Sequence, residues 1–323
     1  MVRRWEILQG DCREAMKTLP DASVDAIVTD PPYELGFMGK GWDKTGVAND
    51  VAVWAECLRV LKPGGYLLAF SGTRTYHRMV CAVEDAGFEI RDQLAWVYGS
   101  GFPKSHNGPW GGTALKPAWE PIVMARKPLI GTVEENWMVH GTGALNVEGC
   151  RVETDENLNG GAYAKVRQES TSEWATLHKT TGAEFVQPAG RWPANLAHDG
   201  SDEVLAAFPQ APGQQGATGN RTQGVCYSAV TETGEGIAPR PDAGSAARFF
   251  YCAKASRRDR GDDNTHPTVK PTDLMRWLVR LVTPAGGVLL DPFTASGCSA
   301  KAARLHGCQF VGCELYPKYM KLA

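Results

Sequence analysis

The sequence holds no apolar run of about eighteen residues, the length a membrane-spanning helix needs, so no transmembrane segment is expected. Its first residues, Met1 to Glu6, carry no apolar secretory core, and the chain is expected to stay in the cytoplasm. Cysteine occurs nine times but never as C-x-x-C. A zinc ribbon or dithiol redox centre is thereby excluded, no metal is expected, and the thiols read as scattered, buried and reduced. Both G-x-G-x-x-G and G-x-x-x-x-G-K-[ST] are also missing, which removes the usual fingerprints of dinucleotide and nucleoside-triphosphate sites. Nor is there an excess of charge of one sign. A net charge of -2 speaks against a wholly basic nucleic-acid module. Charge is locally uneven, however: Lys254, Arg257, Arg258 and Arg260 fall within one short stretch, readable as a solvated loop or as a set of phosphate contacts.

What is present reads as an α/β protein in three zones. In residues 1–126, short β-branched runs alternate with helical patterns. Val24 to Thr29 reads as a buried strand ending at a Pro-Pro turn. Val51 to Leu61 has helical spacing and stops at Lys62-Pro63-Gly64-Gly65. Further strands are expected at Tyr66 to Phe70, Phe88 to Tyr98 and Pro121 to Ala125, with a helix from Arg74 to Ala86. Residues 246–323 return to this alternation. A helix is expected over Asp273 to Val282, a strand at Val288 to Leu290, a helix from Ser299 to His306 and a strand from Phe310 to Cys313. Such alternation implies a mostly parallel sheet with helices on both faces. The zone between, 127–245, is rich in Gly, Thr, Asn and Gln and reads as a loop-rich insert suited to substrate recognition.

Two strand-end loops carry the chemistry. The later one, Asp291-Pro292-Phe293-Thr294-Ala295-Ser296-Gly297, lies between a strand and a helix, and the next strand ends at Glu314. Gly297 permits close backbone approach to a ligand, and Glu314 is placed to accept from ribose hydroxyls. The earlier loop is Asp30-Pro31-Pro32-Tyr33. An exocyclic amine on adenine or cytosine is a poor nucleophile because its lone pair is delocalised into the ring. A carboxylate and a carbonyl aimed at the amino hydrogens draw that nitrogen toward a tetrahedral state. Pro31 and Pro32 stiffen the turn, and Pro31 has no N–H to offer. Tyr33 offers a flat face for an extruded base.

The two loops together, in this order, resemble the defining motifs of the amino-group DNA methyltransferases. Catalytic motif first and cofactor motif last is the permuted arrangement of that family's β class, with its Rossmann-like sheet and target-recognition region between. The resemblance covers the first and last zones and leaves 127–245 unmatched. It implies S-adenosylmethionine as cofactor, double-stranded DNA as substrate and a homodimeric assembly. Asp30 is implied to contact the target amine beside the methyl donor, and Tyr33 to stack on the flipped base. Asp11, Asp291, Phe293, Ala295, Gly297 and Glu314 are implied to surround the cofactor. His266 and Lys270, in Thr265-His266-Pro267-Thr268-Val269-Lys270-Pro271, resemble the family's additional cofactor motif, with a loop-anchoring role as the other reading. Phe102 and Lys104, after Gly99 and Gly101, are expected on the target-base side as DNA contacts, whereas Trp96 reads as core.

One departure stands out. The family's Phe-x-Gly-Ser-Gly is here Phe293-Thr294-Ala295-Ser296-Gly297, and Ala295 is expected to be tolerated in the ordinary φ < 0 region, with weakened cofactor binding. Ring-carbon methylation is not favoured, because it needs a Pro-Cys nucleophile and no cysteine follows a proline. Asp rather than Ser at the first motif position leans toward adenine N6. Cytosine N4, a glutamine amide, RNA and a catalytically silent DNA-binding relative remain the alternatives. A nicotinamide dehydrogenase lacks its glycine-rich loop at Gln9-Gly10-Asp11.

Overall fold

The computed structural model describes residues 5–36, 41–103, 105–156, 158, 186–211, 243–254, 259 and 269–320. Its centre is a nine-stranded sheet. The strands that make it are β1 (Trp5–Gln9), β2 (Val24–Thr29), β3 (Leu61–Phe70), β4 (Glu89–Val97), β5 (Trp119–Arg126), β8 (Leu196–His198), β11 (Tyr251–Cys252), β12 (Val288–Asp291) and β13 (Gln309–Glu314). Two small ribbons stand apart from it, β6 (Val152–Glu153) with β7 (Gly190–Arg191) and β9 (Gln210–Ala211) with β10 (Gly244–Ser245). Across the sheet the order is β1-β13-β12-β2-β3-β5-β4-β8-β11. Every neighbouring pair is parallel except those made by β5, which runs against both β3 and β4. The sheet is thus mostly parallel, as the strand–helix alternation implies.

Strand β2 explains why the sheet needs cover on both sides. All six of its residues are buried. Ala26 and Val28 join one apolar cluster and Ile27 the other, as a period of two requires, while Val24, across an irregularity in the β2–β3 register, packs with Ile27. On the first face lie α6 (Thr272–Val282) and α7 (Cys298–His306), through Leu274, Leu278, Ala300 and Ala303. On the second lie α1 (Cys12–Met16), α2 (Val51–Val60) and α3 (Tyr76–Asp85), through Met16, Trp54 and Val83. Fully buried Trp54 and Phe70 each contribute roughly 2–3 kcal/mol by leaving water. Helix α2 stops at Val60, and residues 62–65 loop out of the β2–β3 ladder, with Gly64 at φ +75° making the turn.

The zone 127–245 is less separate than its composition implies. It supplies β8, which pairs in parallel with β4, and α4 (Val133–His140), which is anchored on the β3 turn. That anchor is polar: the Asn136 amide donates to the carbonyls of Pro63 and Thr142. A short helix, α5 (Asp202–Ala207), follows β8.

From β2 the chain moves by α2 to β3 on one side, and from β12 by α7 to β13 on the other. Strands β2 and β12 are adjacent, with Leu289 opposite Ala26. The strand order therefore reverses between them, and in such sheets ligands bind at the carboxyl ends beside that point. Asp30 and Asp291 stand there.

Candidate active site

A cleft of about 900 Å³ opens at those two strand ends. One part of its wall comes from the Asp30-Pro31-Pro32-Tyr33 turn, with Trp96, Glu120 and Lys270. Another comes from Asp11, Arg13, Asp50, the Asp291 to Ser296 loop and Glu314.

On the first side, Lys270 is only 9% exposed and directs its ammonium at three oxygens. They are Asp30 Oδ2 at 2.9 Å, Tyr33 OH at 3.0 Å and Glu120 Oε2 at 3.3 Å. Burial disfavours the ammonium, but the Asp30 and Glu120 carboxylates outweigh it and raise the pKa of Lys270 above the usual lysine value. Tyr33 also donates to Glu120 Oε2 at 3.1 Å, and burial together with the two carboxylates pushes its phenol well up. Its backbone is held as well, since Thr75 Oγ1 donates to the Tyr33 carbonyl at 2.6 Å. The other carboxylate oxygen of Asp30, Oδ1, is buried with no hydrogen-bond partner among the described residues. A buried acceptor left unpaired costs about 1–3 kcal/mol, so this atom is a place where a donor gains unusually much by arriving.

On the second side, Asp291 is fully enclosed by its own loops. Oδ1 accepts from Thr29 Oγ1 at 2.5 Å and from the Phe293 N–H at 3.0 Å, and Oδ2 accepts from Ser299 Oγ. Burial raises this carboxyl to about 6 despite those donors. The loop then turns through two left-handed residues. Gly297, at φ +76°, caps α7 at its N-terminus. Ala295 lies at φ +42°, which corrects the expectation of an ordinary φ there. Its N–H is tied to Glu314 Oε2 at 2.9 Å, while Glu314 Oε1 takes the Tyr316 N–H at 2.7 Å. The tie to Glu314 holds a conformation that alanine ordinarily avoids by about 1–2 kcal/mol.

Asp11 caps α1 and is gripped by Arg13, whose Nε and Nη2 reach its two oxygens at 2.9 and 2.6 Å. Those hydrogen bonds hold the Asp11 carboxyl below its ordinary value. Arg13 Nη1 also reaches Asp50 Oδ2 at 2.8 Å, and Asp50 caps α2. One guanidinium thereby ties two helix starts together at the rim of the cleft.

The sequence compares with known proteins as follows. A family model described as DNA methylase matches residues 24–323. The chain belongs to the DNA methylase family. Among curated relatives, YubD of Escherichia coli K12, described as a methylase, is 36% identical over 94 residues, which is 28% of this chain and 41% of that protein. The type II methyltransferase M.HinfI of Haemophilus influenzae is 29% identical over 143 residues, 38% of either chain. This chain therefore spans about two fifths of the length of each. Among solved structures, the PvuII DNA methyltransferase (cytosine-N4-specific) overlays with a TM-score of 0.51 at 13% identity, covering 97% of this chain and 82% of that one. At that identity the likeness concerns the fold alone.

Within this methylase-family chain, most of the residues expected from sequence meet in one cleft. Asp11, Asp30, Pro31, Pro32, Tyr33, Lys270, Asp291, Phe293, Ala295 and Glu314 all line it. Gly297 shapes the loop from behind. Lys270 bonds the Asp30-Pro31-Pro32-Tyr33 turn directly, as an anchor would. Phe102 is 81% exposed on the loop between β4 and β5, outside the cleft wall. Lys254 is exposed just beyond β11, also away from it. Lys104, Arg257, Arg258, Arg260 and His266 lie outside the described residues. Trp96 is buried at 4% yet still reaches the cleft wall. Sequence reasoning missed Glu120, Arg13, Asp50 and Asp43. Asp43 is 2% exposed and accepts from the N–H groups of Glu34 and Leu35, folding the chain back after the Tyr33 turn. The one signal in reach was Arg13 two residues after Asp11, a spacing that suits a capped helix start.

Proposed function

We propose that this chain methylates an exocyclic amine of a base flipped out of double-stranded DNA, using S-adenosylmethionine, with adenine N6 as the target. The observation that carries the reading is Asp30 Oδ1, a buried acceptor at the switch point of the sheet with no hydrogen-bond partner among the described residues. The cofactor fits the residues present. Its sulfonium is cationic, and the wall holds Asp11, Asp30, Asp50, Glu120 and Glu314 against Arg13 and Lys270. The left-handed turn at Ala295 and Gly297 brings backbone close to the cleft, and Glu314 stands at the end of β13 where a ribose acceptor belongs. About 900 Å³ has room for a nucleoside cofactor and a base side by side. When bound, the cofactor supplies a methyl group already activated for transfer.

The protein's task is then positioning. Tyr33 offers its ring to the flipped base. Asp30 Oδ1 accepts one amine N–H, and a main-chain carbonyl of the Pro31-Pro32 turn accepts the other, so the nitrogen lone pair leaves conjugation with the ring. Lys270 holds Asp30 by Oδ2 and keeps Oδ1 available. An amine poised in this way would take the methyl carbon as the carbon–sulfur bond breaks and its electron pair returns to sulfur, and Asp30 or solvent would take the surplus proton from the nitrogen. Aspartate at the first motif position supports adenine over cytosine N4, which pairs with serine there in the family this sequence resembles. Phe102, Lys254 and the zone 127–245 are assigned to DNA contact and target reading. Incubation with tritiated cofactor and unmodified DNA, followed by nucleoside analysis, tests the proposal. Label in N6-methyladenine is expected; label in N4-methylcytosine overturns the choice of base.

A further inference from the structure

Among the cleft carboxylates that neither motif loop supplies, Glu120 is the one that meets both Tyr33 and Lys270. Glu120 sits at the start of β5, the strand that opposes its neighbours, with Trp96 of β4 as its register partner. The strand is pinned there because the Pro121 carbonyl takes the Ser71 N–H at 3.0 Å. Glu120, Tyr33 and Lys270 thus arrive from three separate parts of the chain.

Their hydrogen bonding has only one direction. An ammonium has donors and no acceptor, and an ionised carboxylate has acceptors and no donor. Lys270 must therefore donate to Tyr33 OH at 3.0 Å, which leaves the Tyr33 proton for a carboxylate, and Glu120 Oε2 accepts it at 3.1 Å. Lys270 also faces Glu120 Oε2 at 3.3 Å, which closes a three-membered ring. A phenol held on both sides in this way anchors the hydroxyl end of its ring. The ring has an electrostatic effect as well. Asp30 alone would form a neutral pair with Lys270, and its carboxylate would be largely cancelled. With Glu120 present, one ammonium is shared between two carboxylates, and Asp30 keeps more of its negative charge on the free Oδ1.

We propose that Glu120 is a positioning residue for methyl transfer, orienting the Tyr33 ring and, by sharing Lys270, preserving the acceptor strength of Asp30. It acts through those two side chains. The inference rests on the methyltransferase reading above.

The test uses the full chain carrying E120Q, which keeps the shape and one acceptor but removes the charge. Melting temperature, cofactor Kd by calorimetry, and kcat and KM on DNA are measured together, alone and in a Y33F background. The expected result is a kcat lower by about 10- to 100-fold, the scale on which a slightly misplaced catalytic group acts. Cofactor Kd should stay within about twofold, and the two substitutions together should cost clearly less than the product of their separate effects. Y33F retains the ring and loses only the hydroxyl, so it carries the same prediction if E120Q folds poorly. A kcat for E120Q within twofold of wild type overturns the role of Glu120 and leaves the methyltransferase reading intact. So does full multiplicativity with Y33F. A wild-type protein that transfers no methyl to any DNA overturns both.

Discussion

Lys270 Nζ lies 2.9 Å from Asp30 Oδ2, while Asp30 Oδ1 has no partner among the described residues. One oxygen of the carboxylate is thus clamped and its buried twin is left as an acceptor without a donor among the described residues. Lys270 is buried, and among the described residues it is the one cation paired with Asp30 and Glu120. Removing one member of a buried ion pair leaves uncompensated charge and costs about 3–5 kcal/mol. Lys270→Met should accordingly lower the unfolding free energy by about 3 kcal/mol in urea titration and abolish methyl transfer. A stability within 1 kcal/mol of wild type would show that the clamp carries no energetic weight.

Ala295 holds φ at +42° through its bond to Glu314. Glycine accepts this region without strain, though it also makes the unfolded chain more flexible. Ala295→Gly should therefore stabilise the protein by roughly 0.5–1 kcal/mol, read from the urea midpoint at constant slope. Destabilisation by the same variant would mean the alanine methyl makes packing contacts that outweigh its backbone cost.

The motif loops were legible in the sequence because each is a contiguous run ending a short apolar strand, and strand β2 declares itself by Val24, Ala26, Ile27, Val28 and Thr29, interrupted by Asp25 alone. The ring around Lys270 was not. Glu120 reaches Tyr33 only because β5 runs antiparallel to β3 with Ile122 opposite Phe70, and no local spacing encodes that register. The conformation of Ala295 was misread for a related reason. Residue size permits either sign of φ, and the decision comes from Glu314, which a different strand delivers. The insert's contribution of β8 was hidden because a three-residue strand on the sheet's outer half needs no long apolar run.

Burial lifts the Asp291 carboxyl to about 6, whereas in the unfolded chain it titrates near its ordinary value of about 4. The native state then holds more protons between those values, so this group's contribution to stability falls as pH rises from about 4 to about 6 and is constant above. Asp291→Asn removes the titration. The unfolding free energy of the variant relative to wild type should rise by about 2–3 kcal/mol between pH 4 and pH 7. A difference that does not change with pH would mean that Asp291 titrates normally.

Arg13 is 42% exposed, and its pairs with Asp11 and Asp50 contribute under about 1 kcal/mol to folding. Its importance lies in holding Asp11 at the cleft wall. Arg13→Ala should weaken cofactor affinity about tenfold by calorimetry, a loss of about 1.4 kcal/mol, with kcat at saturating cofactor unchanged. A fall in kcat with unaltered affinity would place Arg13 on the base side instead.

Activation of the amine turns on a single atom, Asp30 Oδ1. Asp30→Ala deletes it while leaving the Asp291 to Ser296 loop and Glu314, proposed to hold the cofactor, in place. Methyl transfer to unmodified DNA should fall by about 10³-fold or more, and cofactor Kd, measured by calorimetry on the same preparation, should remain within about threefold of wild type. Unchanged transfer, or a loss of transfer matched by an equal loss of cofactor binding, would contradict the account.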